Sequence, residues 1–556
     1  MARVEEPAAD TQPWLRALLG GAGPRPRDLA ALVAILAVAA ALRFWDITQP
    51  LVDVFSWREA STAMMADNFR TGGWNIFFPE VNWTGPGPSY QGREFQLLSY
   101  IVAILHAIFG WHDWFGRLVA ALFGMVTVFA LHRLTALIWD ERHAHAAALS
   151  YALMPGAIII DRSFLPDPAM LALVTLGLWL FLRHWVEGGG RMLVLGTAAF
   201  TLGALAKLPG LGAGLVVLWL VGVWLARGQL RRAGLTVLAT AAGLVAIAGY
   251  YAWAVYLGNS YPPYHVAGSG YVWDYGLDTF IANGFYLEDL WFTAVWWFHG
   301  YPILLLIAVG LWMAPGWAAI GRDRALAVVP HVWLLGALIV YFAAAREITN
   351  NPWNLHILHV PLAIFCGRGL IVLVDMGRAA TPAAASGVLR TGLVVLAVLL
   401  LSTLPLSQRL KDAQGEEARL MGRRLDALAG PDDLVIAVSP VVGDPIGVYY
   451  SRRRGWVFPP GGGDGDWSAF EEDDAAAIAQ LEALRAQGAR WFAVTRNAKD
   501  SRARLFFEHH AGVLDYLEAN ATRAADSSNY VIYRLDGGSG ASPSSPERDM
   551  SQRFLK

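Results

Sequence analysis

One cysteine among 556 residues removes two kinds of chemistry at the outset. Cys366 can form no intramolecular disulfide and no cysteine-based zinc site. Set within an apolar run, it reads as a small buried hydrophobe. Charge is scarce as well: 16% of the residues are Asp, Glu, Lys or Arg, against roughly 25% in an average soluble protein. The formal net charge of -2 leaves no basic excess for nucleic acid. Phosphate-cradling loops are missing too. No Walker A loop, Rossmann fingerprint or HExxH motif occurs; Gly461–Gly463 is followed by no GK[ST], and Gly188–Gly190 reads as a short turn. A soluble nucleotide-dependent site therefore has no support.

What the chain has in abundance is apolar residues, 55% of the total. A helix crossing the hydrocarbon core needs about 20 of them in succession. Runs meeting or approaching that length cover 29–46, 117–138, 145–160, 168–184, 192–206, 210–226, 233–257, 291–313, 326–345, 357–375 and 391–407. The expected fold is an α-helical polytopic membrane protein of about eleven transmembrane helices. Its first run follows Arg25 and Arg27 and reads as a retained span rather than a cleaved signal peptide.

The loops between the runs alternate in character. One set carries arginines: Arg133/Arg142, Arg183/Arg191, Arg227/Arg231/Arg232, Arg322/Arg324 and Arg378/Arg390. The other carries acids, aromatics, prolines and isolated bases: Asp53–Glu94, Asp161–Asp167, Lys207, Asn259–Asp289 and Arg346–His356. The positive-inside rule places the first set in the cytoplasm. Segment Gln96–Gly110 is apolar enough to be counted as a span, but counting it would export the Arg227–Arg232 loop. It reads instead as an amphipathic or re-entrant helix at the outer interface.

The organisation expected is a cytoplasmic segment 1–28 and a transmembrane domain 29–407 whose first external loop is 47–116. A small extracytoplasmic α/β domain at 408–536 and a Gly/Ser/Pro-rich disordered tail at 537–556 complete the chain. Strand-like runs at Leu434–Ser439, Trp491–Thr495 and Tyr530–Leu535, with helical patterns at Glu416–Leu428 and Ala475–Gln487, carry the α/β reading.

Most residues able to do chemistry fall in the second set of loops. In the first, Trp57–Phe69 suggests an amphipathic helix bearing Arg58 and Glu59. A carboxylate there could act as a base, and an arginine could hold a phosphate. In the second, Asp161, Arg162 and Asp167 crowd between two spans, where ionisable groups are costly unless paired or functional. Asp167 before Pro168 equally suits a helix cap. Lys207 follows fifteen uncharged residues. It is either a snorkelling anchor or a point charge for a lipid phosphate. His356 and His359 lack a third ligand, so no metal site is read from them.

The order of several motifs resembles bacterial members of the dolichyl-phosphate-mannose–protein mannosyltransferase superfamily. The residues are Trp57-Arg58, Ala60, Thr62-Ala63, Asn68-Phe69, Gly73-Trp74, Pro79, Gly92, Glu94-Phe95, Leu97, Tyr100 and Phe109–Leu118, then Ser163–Pro168, Ala206-Lys207 before Pro209-Gly210, and His356–Ala363. The similarity covers roughly 29–407, with the aminoarabinose transferase of lipid A modification a more distant relative. It departs at R-E-A-S-T-A, where Ser61 stands at a position often Asp in the family.

The resemblance implies a GT-C glycosyltransferase that moves a sugar from a polyprenyl-phosphate donor to a lipid, glycan or protein acceptor. The expected setting is the outer face of a bacterial plasma membrane. It implies Glu59 as the base, Asp53 in reserve, and Arg58, Arg162 and Lys207 as candidates for the lipid phosphate. Asp161 and Asp167 would position groups, Glu94 would support the loop, and His356 belongs to the same constellation. No cofactor is called for, with a divalent metal left open. The competing reading is a transporter or flippase of lipid-linked sugars; the near absence of charge in mid-span disfavours it.

Overall fold

Most of the apolar runs of the sequence fall on helices of the computed structural model, which describes residues 25–266, 271–282, 285–313, 323–380, 385–439, 441, 443–460, 473–496 and 506–535. The expected tail at 537–556 and most of the 1–28 segment lie outside those residues. Two compact units emerge. One takes Met1–Gln49, Arg93–Tyr256 and Val266–Lys411; the other takes Pro50–Gly92, Leu257–His265 and Asp412–Lys556.

The first unit is helical. Among the described residues five helices are long and apolar enough to cross a membrane: Phe115–Ile138, Asp167–Glu187, Leu208–Ala226, Leu230–Ser260 and Pro352–Gly377. Two bent pairs raise the number to seven, fewer than the eleven expected. The difference has local causes. Pro155 begins a new helix after Leu153, and the two pieces meet at 69°; a proline cannot continue the hydrogen-bond ladder of the preceding turn. Gly300, at φ +74°, separates Leu290–Phe298 from Gly300–Trp312 at 117°. Gly190–Ala206 and Val329–Ala343 are apolar but shorter, at 17 and 15 residues. Leu97–Phe109 has 13 residues, which at 1.5 Å per residue is about 20 Å, short of a hydrocarbon core of roughly 30 Å. Leu235, Leu238, Leu244 and Val245 on Leu230–Ser260 are exposed apolar side chains, as a lipid-facing helix requires.

The helical hairpin Asp167–Glu187/Gly190–Ala206 brings the start of its first helix level with the end of its second. Its turn, Gly188-Gly189, lies at φ +78° and +88°, a region that glycine enters without a Cβ penalty. The two helices then approach closely. A Cβ on Gly177 would lie 2.8 Å from the Phe200 backbone nitrogen, and one on Gly203 2.8 Å from that of Val174.

The second unit carries a five-stranded sheet. Strands β1 (Leu434–Val438), β2 (Gly455–Val457), β3 (Ala489–Thr495), β4 (Thr522–Asp526) and β5 (Tyr530–Arg534) are ordered β2-β1-β3-β5-β4. β1 is parallel to β2 and β3, while β5 runs antiparallel to β3 and β4. Ile436, Phe492, Val494, Val531 and Tyr533 meet Leu481, Val513 and Leu517 in its core. The loop segment at 82–85 lies along β2: Gly455 N–H donates to Asn82 O at 2.9 Å, and Gly85 N–H to Gly455 O at 2.7 Å. That pairing covers a strand edge that would otherwise present open backbone groups.

Candidate active site

In the helical unit, Lys207 caps the C-terminal end of Gly190–Ala206 in an extended conformation, φ -161° and ψ 124°. Its ammonium reaches back across the hairpin to Asp167, at 2.9 Å from Oδ1 and 2.7 Å from Oδ2. The carboxylate is wholly buried and the lysine side chain 9% exposed. Asp167 is the first residue of its helix and makes no capping bond; both oxygens serve Lys207 instead. An ammonium has three donors, so the two bonds to Asp167 leave one.

Lys207 also lines an open pocket, together with Arg93, Glu94, Tyr251, Tyr271, Glu347 and Asn354. The wall is braced from behind. Phe95 N–H donates to Leu205 O at 3.0 Å, Tyr250 Oη–H to Glu94 O at 2.8 Å and Tyr251 Oη–H to Leu205 O at 3.3 Å. Arg93 Nη1 stands 4.0 Å from Glu347 Oε1, which also accepts from Asn351 Nδ2 at 3.1 Å. Burial, with the Glu347 and Glu94 charges, pushes the Tyr271 hydroxyl up to about 12, so it stays a hydrogen-bond donor at neutral pH. Asn354 is buried, and its Oδ1 accepts no hydrogen bond among the described residues. Buried polar groups without partners are uncommon, and this one sits on a pocket wall. Two cations, two carboxylates and two phenols suit a ligand that joins phosphate to a polyhydroxylated group.

Asp161, Arg162 and His356 are not on that wall. Asp161 accepts from Arg43 Nε at 2.8 Å, Tyr151 Oη at 3.1 Å and His356 Nε2 at 3.1 Å. His356 Nδ1 in turn lies 2.8 Å from His359 Nδ1. All are buried, and the network ties together the helices Pro26–Phe44, Glu141–Leu153 and His356–Ala380. Arg162, expected to compete for phosphate, is fully buried and donates from Nη2 to the Asp46 carbonyl at 2.7 Å.

Asp53, Arg58 and Glu59 belong to the second unit. The predicted helix is present as Ser56–Thr71. Asp53 Oδ1 accepts from Phe55 N–H at 3.1 Å, and the Ser56 hydroxyl lies 3.3 Å from that oxygen and 3.0 Å from Glu59 Oε2. One hydroxyl thus stands between two carboxylates. Arg58 Nη1 donates to Gln91 Oε1 at 2.6 Å. Among the pocket residues, Arg93 and Asn354 escaped the sequence reading. Arg93 adjoins the Glu94 that the motifs did flag, whereas nothing in the local pattern marks Asn354.

The family described as dolichyl-phosphate-mannose-protein mannosyltransferase matches residues 96–253. Among solved structures, ArnT from Cupriavidus metallidurans in the apo state superposes with a TM-score of 0.60 at 16% identity, covering 92% of this chain and 98% of that one. The same enzyme bound to undecaprenyl phosphate gives 0.57 at 14%, over 93% and 99%. The Archaeoglobus fulgidus oligosaccharyltransferase gives 0.58 at 14%, over 84% and 69%. The chain has the GT-C fold. A search of curated proteins finds no match. The resemblance read from the motifs holds at the level of fold, and the family match falls on the stretch from the short Leu97–Phe109 helix to the Leu230–Ser260 helix.

Proposed function

We propose that the protein is a membrane glycosyltransferase that moves a sugar from a polyprenyl-phosphate-linked donor to a lipid, glycan or protein acceptor at the outer face of a bacterial plasma membrane. The observation that carries this reading is Lys207, held by Asp167, on the wall of an open pocket within a GT-C fold. ArnT of the same fold has been solved with undecaprenyl phosphate bound, which supports a donor of that class.

The reaction is a displacement at the anomeric carbon. The acceptor oxygen forms the new bond to that carbon, the bond from carbon to phosphate oxygen breaks, and the electron pair leaves with the lipid phosphate. Charge grows on that phosphate in the transition state, where fixed cations act most strongly. Lys207, with one donor left and its position locked by Asp167, supplies such a cation, and Arg93 supplies a second. Glu94, Tyr271 and Asn354 hold sugar hydroxyls. The acceptor proton passes to a carboxylate; Glu59 is assigned that role and Asp53 stands in reserve, as the motifs imply.

Membranes carrying the protein, supplied with polyprenyl-phosphate sugars, test the assignment. Lys207→Ala and Glu59→Gln are each expected to lower transfer about a hundredfold, the range of one electrostatic or acid–base contribution. Full activity in Lys207→Ala removes the pocket from the mechanism. Full activity in both Glu59→Gln and Asp53→Asn removes both proposed bases. No transfer from any donor, with Lys207-dependent movement of the lipid across vesicles, favours the flippase.

A further inference from the structure

Three residues that share nothing with the pocket converge at the turn between Phe115–Ile138 and Glu141–Leu153. His132 lies on the first helix, and Glu141 and His145 on the second. Residues four apart occupy one face of a helix, so Glu141 and His145 point the same way. A ligand atom from each of His132, Glu141 and His145 lies within 4.8 Å of the other two.

His132 is fully buried, yet neither ring nitrogen has a hydrogen-bond partner among the described residues. Glu141 Oε2 likewise has none and stands 3.8 Å from His132 Nε2. Buried polar atoms left unpaired are costly, and here two of them face each other. The remaining atoms of the cluster are already oriented. Arg133 Nη1 holds the other Glu141 oxygen at 3.1 Å. His145 Nε2 lies 3.1 Å from the Asp28 carbonyl, so it carries the proton and leaves Nδ1 with its lone pair. A histidine that donates one ring N–H to a carbonyl while the other nitrogen binds metal is a recurrent arrangement. The His132 and His145 rings stand 4.9 Å apart at 64°, which keeps them from stacking.

We infer that His132, Glu141 and His145 form a binding site for one divalent zinc-class cation, distinct from the pocket that holds Lys207. Two imidazoles and a carboxylate are a common zinc donor set. Tetrahedral bonds of about 2.1 Å place donors roughly 3.4 Å apart, so the 3.8 Å separation closes with a small side-chain movement. Water takes the fourth position. The ion fastens the two helices at their turn and, through the bond from His145 to Asp28, steadies the helix Pro26–Phe44.

The test uses the purified full-length protein in detergent, stripped with EDTA and titrated with zinc. The wild type is expected to take up one more equivalent than His132→Ala or Glu141→Gln, and zinc is expected to raise the Tm of the wild type alone. Cobalt in place of zinc is expected to give a visible d–d band that both variants lose. Glu141, whose side chain is one-third exposed, tolerates the glutamine exchange even if His132→Ala fails to fold. Equal zinc uptake and an equal Tm shift in the wild type and Glu141→Gln would overturn the inference.

Discussion

Lys207 Nζ binds both carboxylate oxygens of Asp167, at 2.9 and 2.7 Å, across a helical hairpin forty positions apart. Neither charge is at liberty to leave. Removing one partner from such a buried pair strands the other, at a cost of roughly 3–5 kcal/mol. Asp167→Asn is therefore expected to lower the Tm in detergent by several degrees and to reduce transfer. The double variant Lys207→Met/Asp167→Leu, which removes both charges, is expected to recover most of the Tm but none of the transfer. Recovery of activity would show the pair to be purely structural.

Asn354 lines the pocket, and its buried Oδ1 accepts no hydrogen bond among the described residues. Asn354→Leu keeps the volume and removes the acceptor, so stability is expected to change little. The KM for the donor is expected to rise about tenfold, the worth of one hydrogen bond. An unchanged KM would leave Asn354 outside the ligand contacts.

A pH dependence belongs to the second unit. Burial pushes the Asp444 carboxyl up to about 7, offset in part by the bond its Oδ1 accepts from Ile446 N–H at 2.8 Å. The folded state then holds a proton that the unfolded chain, with an ordinary value near 4, releases. Stability from this group is thus fully present below about pH 4 and lost as pH rises to about 7. The difference between wild type and Asp444→Asn in denaturant unfolding is expected to change by about 4 kcal/mol over that window. A pH-independent difference would contradict the assignment.

Gly124 faces Asp161 so closely that a Cβ would lie 2.7 Å from the Asp161 Cβ and Cγ. Asp161 cannot yield, because Arg43, Tyr151 and His356 hold it. Gly124→Ala is expected to cost about 1–3 kcal/mol by overpacking, seen as a lower Tm, whereas Gly222→Ala, with no atom within 4 Å, should be silent.

The orientation of the chain is open to a direct check. Reporters inserted in the Arg227–Arg232 loop and after Ser407 are expected to report opposite sides of the membrane, the first cytoplasmic. Agreement between them would overturn the outer-face placement.

Much of this architecture could be read from the sequence because apolar runs leave helices few alternatives in a membrane. Most runs fall on helices, but the breaks at Pro155 and Gly300 divided two of them, and 326–345 is split among three short helices. Strands β1, β3 and β5 were legible as short buried runs. β2, three residues long, and β4, only half buried, carried too little pattern. The site was harder. Asp167 suggested a cap by its place before Pro168, and only the hairpin register showed that its carboxylate belongs to Lys207. Asp161 and His356 drew notice as ionisable groups near a membrane, and they prove to satisfy each other. His132 and Glu141 passed unremarked because their meeting depends on a turn whose geometry no spacing rule specifies.

The hairpin around Gly188-Gly189 also sets a limit on how this chain can drift. A residue inserted within either helix would rotate everything beyond it by about 100° against the other. Lys207 lies some seventeen residues, or about 25 Å, beyond that turn, yet it would swing off Asp167 after a single insertion. The hairpin can change its composition where packing allows, but not the number of residues within either helix, and in that sense helix length serves as the gauge of the pocket that Lys207 lines.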